Sequence, residues 1–149
     1  MAEEKLFEEK VIEISRVSRT VKGGKRISFR ALVIVGDKNG KVGMGLGKAV
    51  DVSTAIKKAS DQAKKRLIKI DLTEEGSIKK EIVLHLNSAK ILLKKAPEGT
   101  SIIAGGVVRS VCELAGVKNL VSKSYGSNNK INIARATIEA LVRSSVGMK

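Results

Sequence analysis

Between Lys41 and Gly47 every second residue is a glycine: Gly43, Gly45 and Gly47 alternate with Val42, Met44 and Leu46. At the two-residue period of a strand, the apolar side chains fall on one face and bare backbone on the other. A face without side chains lets another backbone, or a phosphate chain, approach closely. The expectation is a glycine-faced strand that ends at a helix N-terminus.

The flanking segments fit around that strand. Val11–Val21 is β-branched on an alternating plan, Lys22-Gly23-Gly24-Lys25-Arg26 breaks it, and Ile27–Val35 resumes as a strand with a fully apolar end. Gly36-Asp37-Lys38-Asn39-Gly40 is a turn cluster. After the glycine strand, Val52, Ala55, Ile56, Ala59, Ala63, Leu67 and Ile70 lie on one stripe of a helix expected from about Lys48 to Ile70. Three antiparallel strands under one long helix make an α+β layer. Asp71–Ser77 is polar and marks a boundary. Beyond it, Ile78–Leu86 and Lys90–Leu93 read as strands, Gly105–Ala115 as a helix capped by Gly116, and Val117–Ser124 as a strand. Asn132 is placed to cap a last helix from Ile133 to about Ser144. Residues 8–71 and 76–149 are therefore expected as two domains, β-β-β-α and β-β-α-β-α.

Charge narrows the function. The 149 residues carry 29 Lys and Arg against 15 Asp and Glu, a net +14. Residues 1–75 hold +6 and the remainder +8, so both halves suit one polyanion. Self-repulsion of this size favours a polyanionic partner, and nucleic acid is the one whose binding releases condensed counterions. A membrane surface asks for a basic amphipathic helix with Trp or Phe, whereas this chain has no Trp, two Phe and one Tyr. So few aromatics also make poor base-stacking platforms, which favours recognition of backbone and shape in structured RNA. No stretch is apolar enough to span a bilayer, and the acidic Met1-Ala2-Glu3-Glu4-Lys5 start lacks a signal core. The charge is also uneven. Residues 1–15 hold five glutamates, whereas 16–30 hold Arg16, Arg19, Lys22, Lys25, Arg26 and Arg30 and no acid. The Gly-Gly turn inside that run puts cations on a protruding loop.

Enzyme chemistry finds little support. Gly43-Met44-Gly45-Leu46-Gly47-Lys48 lacks the spacing of a phosphate-cradling loop, since Val42 stands where the first glycine belongs and Ala49 where Ser or Thr belongs. The dinucleotide fingerprint fails at Lys48. Even so, the N–H groups at the expected helix start, with Lys48 beside them, suit one RNA phosphate. His85, the single histidine, is expected as a packed residue of an apolar strand. Cys112, the single cysteine, falls on the apolar stripe of a helix and reads as core. No disulfide, zinc site, cofactor or catalytic residue is expected. Two loops, 99–106 and 124–129, set small hydrogen-bonding residues before helix starts. Arg109, Lys123, Lys130 and Arg135 flank them and favour anion contact.

Several runs then agree. Val17-Ser18-Arg19-Thr20-Val21-Lys22-Gly23-Gly24-Lys25-Arg26 and Val35-Gly36-Asp37-Lys38-Asn39-Gly40-Lys41-Val42-Gly43 are followed by Gly47-Lys48-Ala49, Ile103-Ala104-Gly105-Gly106 with Arg109, and Gly126-Ser127-Asn128-Asn129. In this order they resemble the bacterial ribosomal small-subunit protein five family, over about Glu8 to Leu141. The resemblance implies a double-stranded-RNA-binding-like N-terminal domain and a C-terminal domain with a left-handed βαβ crossover. It also implies a non-enzymatic place in the small subunit on 16S rRNA, beside small-subunit proteins four and eight. The 19–26 loop would touch rRNA, affect decoding accuracy and lie near the spectinomycin site. The expected rRNA contacts are Arg16, Arg19, Lys22, Gly23, Gly24, Lys25, Arg26, Lys48, Lys123, Asn128, Asn129 and Lys130. Gly105, Gly106 and Arg109 are expected to face protein four. The alternative is a free-standing RNA-binding regulator or maturation factor with the same basic surfaces.

Overall fold

The computed structural model describes residues 7–74, 76–126 and 129–146. The chain forms β1 (Glu8–Val21), β2 (Gly24–Gly36), β3 (Lys41–Ala49), α1 (Val52–Lys65), β4 (Ile68–Lys69), β5 (Ile82–Leu86), β6 (Ala89–Lys95), β7 (Ile102–Ile103), α2 (Gly106–Ala115), β8 (Leu120–Gly126) and α3 (Lys130–Val146). Strands β1-β2-β3-β4 make one antiparallel sheet, and β5-β6-β8-β7 make a second. In the second, β7 runs parallel to β8, joined through α2 as a βαβ unit. The fold is α+β.

The glycine strand explains how α1 sits. A β-carbon on Gly43, Gly45 or Gly47 would strike the carbonyl oxygen of Ala63, Ala59 or Ala55 respectively. These three alanines are fully buried one turn apart, so a stripe of small residues lies on a strand with no side chains and the two backbones meet. The close neighbour is thus another backbone rather than a phosphate chain.

The opposite face of the first sheet carries Ile34 and Val42, which share one cluster with Ile91, Leu93, Leu120, Val111 and Leu141 of the second half. Hydrogen bonds tie the halves as well: the Lys38 and Gly40 amides donate to the carbonyls of Leu114 and Ala115 at 2.9 and 2.8 Å. Gly36 packs so closely on Leu114 that a β-carbon there would overlap the Leu114 backbone.

Several expected boundaries move. Helix α1 starts at Val52, not Lys48, because Gly47-Lys48-Ala49 continues the β3 ladder opposite Phe29–Ala31 and Asp51 is the cap residue. It stops at Lys65, since Ile68 and Lys69 turn back to pair with Val42 and Lys41. Ile78 is buried but precedes β5: the Ser77 hydroxyl accepts from the Ala96 amide, and Thr73 Oγ1 accepts from the Ser77 amide. Likewise 117–119 link rather than pair, with the Lys118 and Asn119 amides both donating to the Gly76 carbonyl. Asn129, not Asn132, caps α3, its Oδ1 accepting from the Ile131 amide at 3.0 Å. His85 is exposed rather than packed, because in β5 it alternates with the buried Leu84.

Cys112 is core as expected, and burial with the neighbouring Glu113 pushes its thiol up to about 12. The native protein should therefore resist a thiol reagent at pH 8 and react at one site once unfolded. Rapid labelling of the folded chain would contradict the packing of α2. Because the folded thiol holds its proton more tightly than the unfolded one, its contribution to stability is complete below about 9 and is lost as pH rises toward about 12.

Candidate nucleic-acid interface

The β1–β2 hairpin outruns the rest of its sheet. β3 stops at Ala49, opposite Phe29, while β1 and β2 stay paired from there out to Val21 and Gly24. Five further register pairs project as a two-stranded ribbon, roughly 17 Å long at about 3.3 Å per residue. Lys22 and Gly23 close it. Gly23 sits at φ 97° and Gly24 at φ 151°, backbone angles open to glycine at little cost. Nothing lies within 4 Å of a β-carbon built on either, so the tip stands clear of the protein.

The ribbon is cationic on both faces. Arg16 and Lys25 project on the α1 side with Phe29 and Ala31, whereas Arg19 and Arg26 project on the other. Arg19 and Arg26 are direct cross-strand partners. Like charges so placed repel. The ion pairs among the described residues, Lys38–Glu8, Lys64–Glu9, Arg109–Glu113 and Arg143–Glu139, involve none of the ribbon's cations. The tip therefore exposes positive charge that no described carboxylate pairs, on a backbone with open space at Gly23 and Gly24.

Lys48 does not stand at a helix N-terminus. It is exposed near the end of β3, opposite Arg30, and its carbonyl accepts from Lys58 Nζ at 3.4 Å. The three candidates Gly106, Arg109 and Lys130 come together with Lys10 and Ile12 of β1 in a groove of about 570 Å³ between the halves. Gly105 is the cap of α2, and neither it nor Gly106 has any neighbour within 4 Å of a β-carbon. Arg109 is held by Glu113 at 3.3 Å. Asn129 spends its side-chain oxygen on α3, and Asn128 lies outside the described residues.

Lys123 belongs to a separate surface. The buried side chains of the second sheet, including Leu84, Ile91 and Leu93, face α2 and α3, and Lys123 alternates to the bare side. There Lys90 stands over the Tyr125 ring at 5.6 Å. Among the described residues no three potential metal ligands converge, and no helix is long and apolar enough to cross a membrane.

Residues 7–71 match the family model described as ribosomal protein S5, N-terminal domain, and residues 84–145 match that of ribosomal protein S5, C-terminal domain. The chain belongs to the ribosomal protein S5 family. It is 51% identical over 135 residues to the small ribosomal subunit protein uS5 of Thermotoga maritima, covering 91% of this chain and 75% of that one. Against the uS5c protein of Emiliania huxleyi the identity is 50%, over 91% of this chain and 85% of the relative. Against the uS5 protein of Ureaplasma parvum it is 50%, over 92% and 68%.

Sequence reasoning left out of this S5 family member's expected contacts one cation at the base of the ribbon. Arg30 lies four residues beyond Arg26 in the same strand and therefore on the same face. Parity alone would have found it. Its juxtaposition with Lys48 depends on the β2–β3 register, which the sequence does not print.

Proposed function

We propose that this chain, by its family a structural constituent of the cytoplasmic small ribosomal subunit, binds 16S rRNA through the β1–β2 ribbon and contributes there to translational accuracy. The observation that carries the proposal is the Arg19–Arg26 pair, two opposed cations at a projecting tip with no ion-pair partner among the described residues. Phosphates relieve that repulsion, and Gly23 and Gly24 allow the loop backbone to come close. Arg16, Lys22 and Lys25 add to the same contact. Lys48, Lys123, Asn128, Asn129 and Lys130 extend it, and the groove beside Gly105, Gly106 and Arg109 faces small-subunit protein four, with protein eight as a second neighbour. Residues 8–71 and 76–149 serve as two RNA-binding domains, and the chain catalyses nothing.

Contacts to phosphate carry affinity without base preference. Lys25→Ala should therefore weaken binding to structured RNA evenly across sequences and lower the slope of log affinity against log salt by about one unit. A slope equal to that of the unsubstituted protein removes Lys25 from the interface.

A further inference from the structure

We infer that Arg30 and Lys48 form a second phosphate-binding pair, which carries an RNA backbone from the ribbon's tip, on the sheet face turned away from α1, as far as the row where the second half begins to cover that face at Leu32; the inference rests on the proposal that the tip itself binds RNA. Arg30 of β2 and Lys48 of β3 are register partners, as Arg19 and Arg26 are. Counted by twos, Arg26, Ser28 and Arg30 share a face, and across the ladder so do Arg19, Val17 and Ser15. Two rows of paired cations thus stand on one face with only Val17 and Ser28 between them. Since the glycines of β3 face α1, Lys48 points the other way with Val42, Met44 and Leu46.

The spacing suits a nucleic-acid backbone. Arg26 and Arg30 are separated by about 13 Å at roughly 3.3 Å per residue. One strand of a B-form duplex places about four phosphates in that length, at about 3.4 Å each along the axis, and the shorter rise of A-form RNA places slightly more. Direct partners bring their β-carbons within about 5 Å and repel when both are positive. Neither Arg30, which is half-buried, nor the exposed Lys48 has an ion-pair partner among the described residues. Within the sheet, the next carboxylate on this face is Glu13, one row further in opposite Leu32, and it pairs with neither cation. Regular rows of unanswered cations, continuous with the tip, match a repeating anion.

The test uses the full chain and an end-labelled RNA duplex of about 20 base pairs, titrated between about 50 and 300 mM salt. Arg30→Gln and Lys48→Gln should each lower the salt slope by about one unit, and the double variant by about two. Lys41→Gln makes the same charge change on the α1 side of the sheet, where Lys41 pairs with Lys69, and should leave the slope unchanged. Melting temperatures at or above that of the unsubstituted chain are expected, because a repulsion is relieved. Arg30→Lys keeps the charge and should keep the slope, which separates a lost contact from a lost fold. If Arg19→Gln and Arg26→Gln lower the slope while Arg30→Gln and Lys48→Gln do not, the contact ends at the tip and the inference is overturned with the tip proposal intact. An equal fall with Lys41→Gln shows diffuse binding and overturns it too. If the tip variants leave the slope unchanged, the tip proposal falls and takes this pair with it.

Discussion

Replacing Arg19, Lys22, Lys25 and Arg26 together by glutamine should weaken binding to structured RNA about a thousandfold at roughly 0.15 M salt. The estimate follows from counterion release: each phosphate contact changes the salt slope by about 0.9, and four contacts account for about three decades of affinity at that ionic strength. The protein should remain folded. All four side chains are exposed on the ribbon and its turn, none has an ion-pair partner among the described residues, and two of them repel each other across the strands. The melting temperature is therefore expected to hold or rise while affinity collapses. Filter binding across a salt series, with a melting curve on the same sample, checks both. A loss of less than tenfold with an unchanged slope would mean that the ribbon is not where RNA binds.

The second large effect concerns the fold that aims the ribbon. Gly45→Val should destabilise the protein by about 3 kcal/mol or more, beyond the usual cost of overpacking a core. A β-carbon at Gly45 would overlap the Ala59 carbonyl oxygen and lie 2.7 Å from the Ala63 amide nitrogen. Both are backbone atoms of α1, so no rotamer change relieves the clash; the helix must lift off its sheet. Gly105→Ser is the matched control. The position is open, its backbone is already extended at φ −70° and ψ 168°, and serine is a good cap for α2. It should stay within about 0.5 kcal/mol of the parent. Urea unfolding of the three proteins distinguishes the cases, and a Gly45→Val protein as stable as its parent would contradict the packing of α1 on β3.

The same contact shows why much of the fold was legible. Glycines at every second residue and alanines at every fourth are each a local pattern, and each has one natural partner: a strand without side chains and a helix with small ones. The hairpin turn and the Gly116 cap of α2, at φ 96°, were legible for the same reason. What failed depended on distant partners. Strand β7 is two residues long and exists only because Ile102 and Ile103 lie beside Leu120 and Val121. Lys48 reads as helical because its neighbours tolerate a helix, whereas pairing with Arg30 draws it into the sheet. Asn129 and Asn132 are equally good caps by type. Asn132 instead accepts from Asn87 Nδ2 at 3.4 Å in the turn after β5. For His85 an apolar run gives no phase, and its exposure follows from which alternate residues of β5 meet α3. At the interface, the charge of the ribbon was readable from composition, but the opposition of Arg19 to Arg26 emerges only from register.

Sedimentation of lysate from cells carrying a tagged copy tests most directly whether this chain lives as part of a ribosomal particle. The account predicts one copy per small subunit, retained through a wash at moderate salt and released in step with the ribbon substitutions. Recovery mainly at the top of the gradient, or in passing amounts on immature particles alone, would contradict it and mark the chain as a free RNA-binding factor.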